Sequence, residues 1–349
     1  MRGLSLLLLL ALHAPGEVIE TMLAVAGADS PRHSEGDVVV LRDGTLLAAW
    51  SEFLGGGRDD STARIAARTS RDGGRSWSAP YVLQETTGAQ NVMSVSFLRL
   101  DGEILFFYGV KNSPRDLFFM VRRSADEGRT WSEPVRVISD PGYYVMNNAR
   151  VVRLASGRLV CPTAFVEEVF RPNEEFRTVM YYSDDRGRTW RRGKGVSRAP
   201  RRGAMEPGLV ELRDGRLLQI IRTQVGEVWH ALSSDGGDTW TPAAPWTVRA
   251  PEAPSTIFRL PDGRLAIVYN PSVDLKAGHS GPRTPLVAAT SQDDGRTWSE
   301  PKAVESDLSK TYAYTSATRD GERVHLTYYV SERGRISLRF KSLPIAWFR

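Results

Sequence analysis

The sequence is short of the residues that carry metal, redox or nucleic-acid chemistry. It holds one cysteine, Cys161, so no disulfide can form within the chain and a cysteine-based metal site is not expected. Cys161 lies in the apolar run LVCPTAF and reads as a small buried hydrophobe. No Cys/His cluster, phosphate-binding glycine loop or Ser-His-Asp arrangement can be placed, so neither metal nor cofactor is expected. Long basic runs are also missing. Lys and Arg total 46 against 41 Asp and Glu, a net charge of +5, and Arg191-Arg192 and Arg201-Arg202 form only small clusters. No nucleic-acid partner is expected; the excess reads as a solvated basic surface, with a field that draws acidic ligands as the alternative. The only strongly apolar stretch, Leu4 to Leu12 after Arg2, is too short to span a membrane. It fits the core of a secretory leader over residues 1–16. The expectation is a secreted or periplasmic protein without membrane insertion, or a cytoplasmic one if the start is mis-assigned. No linker or low-complexity segment divides the rest, so residues 17–349 read as one domain.

What the chain has in abundance is repetition. The motif Ser124-x-Asp126-x-Gly128-x-Thr130-Trp131 recurs from Ser70, Ser183, Ser233 and Ser291, at steps of 54, 59, 50 and 58 residues. A period of this size means a repeat architecture. Each residue in the motif has a turn task. The Asp accepts bonds from backbone N–H groups of its own turn, the Gly takes a conformation other residues resist, and the Trp fills space between units. The motif is therefore structural.

A second repeat is offset from the first: apolar run, Asp-Gly or Ser-Gly, apolar run. It appears six times, as in DVVVLRDGTLLAAW (37–50) and GLVELRDGRLLQIIRT (208–223). Such a pattern is a strong hairpin signal. Five hairpins are followed by a further strand, an Asp motif and a short fourth strand. The spacing predicts an all-β, six-bladed β-propeller of four-stranded antiparallel blades. The sixth blade shows only three strands at the C-terminal end, and VIETMLAV (18–25) is the expected fourth, closing the ring between the two ends.

This topology places the hairpin turns and Asp motifs on one face. The starts of the innermost strands and the variable loops lie on the other, where function is expected. That face collects carboxylates and arginines from different blades: Glu35, Arg32, Arg58, Asp59 and Asp60 from blade one, Asn148 and Arg150 from blade three, Glu206 and Arg222 from blade four, Arg283 from blade five, and Tyr312 and Tyr314 from blade six. Two or more carboxyl groups with arginine partners suit glycoside chemistry, and paired arginines suit a carboxylate ligand.

These motifs resemble the sialidase (neuraminidase) superfamily over nearly the whole chain from about residue 30. The likeness implies an exo-glycosidase that removes a terminal α-linked sialic acid, or a related acidic sugar, from glycoconjugates by a retaining mechanism. EPGLVELRDGRLLQIIRT resembles the segment that would make Glu206 the nucleophile's partner and Arg222 a carboxylate-binding arginine. NPSVDLKAGHSGPRTPLVAATSQDDG makes Arg283 another. AYTSATRDG implies a tyrosine nucleophile, Tyr314, with Tyr312 the neighbour whose spacing to the turn fits better. GGGRDDSTARIAARTS places the acid/base aspartate at Asp59, with Asp60 second. The sequence departs from the family at His33-Ser34-Glu35-Gly36, where Ser34 falls at the position of the first arginine of a triad. Arg32 or Arg150 would have to replace it, and Glu35 adds negative charge beside an anionic sugar. A different terminal sugar, or a non-catalytic glycan-binding propeller, are the alternatives.

Overall fold

The computed structural model describes residues 16–349; the apolar stretch Leu4 to Leu12, read as the core of a leader, lies outside them. The first described strand, β1 (Ile19–Ala24), belongs to the last blade. Blade one is β2 (Arg32–Val40), β3 (Leu46–Phe53), β4 (Ala63–Ser70) and β5 (Tyr81–Gln84). Blade two is β6 (Asn91–Leu100), β7 (Glu103–Ser113), β8 (Asp116–Ser124) and β9 (Val135–Arg136), followed by a short extra strand, β10 (Tyr143–Val145). Blade three is β11 (Val152–Arg153), β12 (Leu159–Val166), β13 (Arg177–Ser183) and β14 (Arg191–Ser197). Blade four is β15 (Met205–Glu211), β16 (Leu217–Arg222), β17 (Glu227–Ser233) and β18 (Ala244–Arg249). Blade five is β19 (Thr256–Arg259), β20 (Leu265–Tyr269), β21 (Leu286–Ser291) and β22 (Lys302–Glu305). Blade six is β23 (Thr311–Asp320), β24 (Arg323–Glu332) and β25 (Arg335–Pro344), completed by β1.

The architecture is a six-bladed β-propeller, closed as the sequence implies: β1 runs antiparallel to β25, with Ile19 opposite Ser342 and Ala24 opposite Leu338. Pairing the two chain ends removes the raw edge that blade six would otherwise expose. Strand β10 was not evident in the sequence. It pairs with β12 and meets β8 through Tyr143 and Leu117, so it bridges blades two and three beside the central channel.

The Asp motifs behave as turn clamps. The Asp126 carboxylate accepts from Thr130 Oγ1 at 2.6 Å, Thr130 N at 2.9 Å and Ser124 Oγ at 2.8 Å. Those bonds, Thr130's first, hold its carboxyl down to about 2. Gly74 shows why the motif needs glycine: its φ is 93°, and a Cβ there would fall 2.1 Å from the Phe340 ring. The tryptophans pack between or within blades, as Trp77 does edge-on to Phe340 at 5.1 Å and Trp190 to Phe107 at 5.7 Å.

Candidate functional site

Innermost strands carry a repeated irregularity. Their register slips between Ser34 and Asp37, Met93 and Ser96, Met205 and Gly208, and Ala313 and Ser316. Within those slips Glu35, Ser94, Glu206 and Tyr314 have φ of 55°, 59°, 36° and 58°. A left-handed residue in a bulge re-aims its side chain, at a conformational cost that L residues seldom bear outside functional sites. Here all four side chains line one cavity of about 300 Å³ at the channel mouth, on the face opposite the Asp motifs.

Tyr314 and Glu206 meet at its floor. The Tyr314 hydroxyl donates to Glu206 Oε1 at 3.2 Å, and Arg222 Nη1 donates to Glu206 Oε2 at 2.5 Å. Arg222 reaches that position because Met205 lies opposite Arg222 in the β15–β16 pair. Burial, and then the Glu206 carboxylate, push the Tyr314 phenol well above its ordinary value, against the pull of Arg222 and Arg283. The phenol therefore rests neutral, with a carboxylate in reach of its proton. Behind Arg222, Glu252 Oε1 gathers Arg202, His279 Nδ1 at 3.2 Å and Arg222 Nη2 at 3.6 Å. Burial opposes its ionisation, but His279, Arg222 and Arg202 together hold Glu252 down to about 2.

The opposite wall comes from blade one. Asp59, on the β3–β4 loop, accepts from Arg32 Nη1 at 2.5 Å, and its carbonyl is tied by Asn91 Nδ2 at 2.9 Å and Lys111 Nζ at 3.0 Å. Burial works against it, yet Arg32 keeps the Asp59 carboxyl below the usual range. Glu35, 4% exposed, is pushed up to about 7 by burial, with Asp59 and Glu206 adding to the effect and Arg32 opposing it. Between the two charged walls lies an apolar side that includes Leu117, Tyr143, Val169, Phe176 and Met205.

Of the sequence-derived candidates, Glu35, Asp59, Glu206, Arg222 and Tyr314 line the cavity. Arg32 and Arg283 stand one layer behind it: Arg32 is engaged by Asp59 and Ser34, while Arg283 donates to the Tyr329 hydroxyl at 3.0 Å and lies 5.9 Å from the Tyr314 ring. Asp60 turns away to pair with Arg58 on the exposed rim, at 3.0 Å. Tyr312 is buried in the packing of blades five and six, its hydroxyl donating to the Asp307 carbonyl at 3.1 Å. Asn148 braces the floor from beneath, donating to the carbonyls of Gly36 at 2.6 Å and Tyr314 at 2.9 Å. Arg150 also lies beneath, donating to the Ser255 carbonyl at 3.0 Å, and lines the opposite mouth of the channel with Asp37. Neither Arg32 nor Arg150 thus presents a third guanidinium to the cavity. The cavity's second guanidinium is that of Arg202, which the sequence offered only as half of a surface basic pair. Ser94 and Phe176 gave no sequence signal. Among the described residues, no group of three or more His, Cys, Asp or Glu is placed to hold a metal ion.

Comparison with known proteins fits this geometry. Residues 44–326 match the BNR repeat-like domain family. Over 94% of its length the chain is 29% identical to a sialidase of Micromonospora viridifaciens, covering 54% of that protein. Over 57% it is 27% identical to a sialidase of Paraclostridium sordellii, covering 55% of it. The chain thus spans about half the length of these relatives. Among solved structures, Trypanosoma rangeli sialidase in complex with the inhibitor DANA superposes over 93% of this chain and 59% of its own, with a TM-score of 0.75 at 17% identity. A protein of unknown function from Dyadobacter fermentans does so over 94% of this chain and 99% of its own, with a TM-score of 0.76 at 18% identity. The chain belongs to the BNR repeat-like family, within the sialidase superfamily of β-propellers.

Proposed function

We propose that this chain is a retaining exo-glycosidase that removes a terminal acidic sugar of the sialic acid type from glycoconjugates. The observation that carries the reading is the Tyr314–Glu206 hydrogen bond at 3.2 Å, on the floor of a cavity whose opposite wall holds Asp59. In the first step the Tyr314 oxygen attacks the anomeric carbon while Glu206 takes its proton. The glycosidic bond breaks, and the leaving oxygen receives a proton from Asp59, which must leave its pairing with Arg32 and take up a proton before it can act as the acid. In the second step Asp59 takes a proton from water, water displaces the tyrosine, and Glu206 returns the phenolic proton. A neutral nucleophile suits a sugar whose own carboxylate sits nearby, because it brings no second anion to that carbon. Arg222 holds Glu206 and faces the cavity, ready to receive the sugar carboxylate together with Arg202.

One observation favours a second reading, cleavage of a different terminal sugar on the same machinery. Arg32 is engaged by Asp59 at 2.5 Å, and Arg150 faces the other mouth, so among the described residues two guanidiniums, Arg202 and Arg222, line the cavity. Both readings are tested by assaying the wild type and Tyr314→Phe on a panel of methylumbelliferyl glycosides that includes the sialoside. Turnover of the sialoside that disappears in the variant supports the first. Turnover of another sugar alone supports the second. Glycan binding with no turnover of any sugar overturns both.

A further inference from the structure

Glu206, Glu252 and Glu35 lie at or beside this cavity, and they differ in how closely donors approach them. Glu206 accepts from Arg222 at 2.5 Å and from Tyr314 at 3.2 Å. Glu252 takes Arg202, Arg222 and His279 all on Oε1, which is closely held, while its Oε2 has no partner. Glu35 has only long contacts: Ser34 Oγ at 3.3 Å and Arg32 Nη2 at 3.4 Å to Oε2, and Ser94 Oγ at 3.4 Å to Oε1. One of those donors has closer partners. Arg32 spends its short bonds on Asp59 at 2.5 Å and on Ser34 at 2.9 Å. A carboxylate offers about four acceptor sites, and a buried acceptor left without a good donor is costly. Yet the fold holds Glu35 there in a left-handed bulge conformation, the same device that aims Glu206 and Tyr314. The role of ion-pair partner to Arg32 does not account for it, because Asp59 already pairs with that arginine at a much shorter distance.

We propose that Glu35 is a specificity-determining residue that accepts a hydrogen bond from a hydroxyl or amino group of the bound sugar. This rests on reading the cavity as a sugar site. The cavity is charged at its two ends, Glu35 and Asp59 on the blade-one wall and Arg202 and Arg222 on the blade-four wall, with the apolar side between them. A ligand that fits it carries its anionic group toward the arginines and a hydrogen-bond donor toward Glu35. Once Glu35 is ionised, a second anionic group at that end is repelled.

The test uses the methylumbelliferyl sialoside, its monodeoxy analogues, and the variants Glu35→Ala and Glu35→Gln. In the wild type one deoxy analogue loses roughly ten- to a hundred-fold in kcat/KM, the worth of one hydrogen bond to a charged group. Glu35→Ala imposes a similar loss on the parent sialoside and no further loss on that analogue. Glu35→Gln, which keeps the shape and one acceptor, falls between. An unchanged kcat/KM in Glu35→Ala overturns the proposal, as do deoxy penalties that persist undiminished in that variant; either leaves the Tyr314 chemistry standing. If the wild type turns over no glycoside, calorimetric binding of free sialic, neutral and amino sugars replaces the kinetics. Binding that weakens about ten-fold or more in Glu35→Ala supports the proposal. Equal binding, or no binding of any sugar, overturns it. Thermal melts of both variants separate loss of contact from loss of fold.

Discussion

The Tyr314 hydroxyl and Glu206 Oε1 lie 3.2 Å apart although 108 residues separate them in the chain. Their meeting depends on a coincidence of two bulges, one in β15 and one in β23, each with a left-handed residue at the point of slip. In a regular strand the side chains would alternate between the two faces of the blade. The bulge instead sends each toward the channel, so two blades that do not adjoin share one hydrogen bond across the ring.

Removing the phenolic oxygen tests that pairing. Tyr314→Phe keeps the ring that lies 5.7 Å from Tyr329 and deletes only the hydroxyl. The expected result is loss of at least a thousand-fold in kcat on the order of magnitude seen for nucleophile removal, with ligand binding retained within a few-fold. Single-turnover kinetics and calorimetry on the same preparations would measure the two separately. Retention of most of the turnover would remove Tyr314 from the chemistry.

Asp59 and Asp60 are adjacent in sequence, but only Asp59 lines the cavity; Asp60 is held on the rim by Arg58. An acid that protonates the leaving oxygen matters most when that oxygen is a poor leaving group. Asp59→Ala should lose on the order of a hundred-fold or more in kcat on a natural glycoside and much less on an activated aryl glycoside. Asp60→Ala should leave both within about two-fold, the range of a surface change away from the site. Equal losses in the two variants would reverse the assignment.

The propeller was readable because its signals are local. Asp-Gly between apolar runs and the Asp motif each specify a turn within a few residues, and repetition makes them unmistakable. Glu206 and Arg222 came from the family resemblance of one hairpin, and the register of that hairpin, with Met205 opposite Arg222, is what brings them together. Tyr312 and Tyr314 could not be separated by alternation, which puts both on one face; the slip between Ala313 and Ser316 parts them, and no residue in AYTSATRDG announces it. Arg202 was out of reach for a different reason. Its partners Glu174 and Glu252 lie on other loops, so nothing nearby in sequence distinguishes it from a solvated surface arginine.

Asn148 ties the carbonyl of Tyr314 to that of Gly36 across the channel. Gly36 keeps a second donor in Thr327 Oγ1 at 3.0 Å, so the carbonyl of Tyr314 bears the loss if Asn148 is truncated. Asn148→Ala should cost about 1–3 kcal/mol of stability, the penalty of leaving a buried acceptor unpaired. Because the bulge at Tyr314 loosens, kcat should fall more than KM rises. Denaturant unfolding and steady-state kinetics check the two halves. A KM effect alone would mean that Asn148 touches the ligand instead.

The Asp motifs predict behaviour in acid. Thr297 N–H and Oγ1, with Ser291 Oγ, hold the Asp293 carboxyl down to about 2, as Thr130 does for Asp126. A carboxyl depressed on folding stabilises the protein above its unfolded value near 3.9, and that contribution is lost as pH falls through the folded value. Stability should therefore drop steeply between about pH 4 and pH 2. In Asp126→Ala the melting temperature should be lower at neutral pH and the acid-limb slope shallower, with kcat unchanged because the motif is on the face away from the cavity. A kinetic defect at full folding would give the motif a role in the site.

Glu35 predicts the opposite sign. Burial raises its folded value to about 7, above the 4.5 of the free side chain. Between those two values the folded protein holds a proton that the unfolded chain has released, so stability falls with rising pH across that window and levels off above it. The groups that face it are Arg32, Ser34, Ser94, Asp59 and Glu206; Asp59 and Glu206 add to the effect and Arg32 opposes it. Glu35→Gln removes the titration while keeping the shape. Thermal melts from pH 5 to pH 8 should show the wild type losing stability relative to Glu35→Gln as pH rises, with the difference complete by about pH 8. A difference that is constant over the range would mean that Glu35 stays ionised throughout. The donors around it would then be stronger than their 3.3–3.4 Å distances indicate.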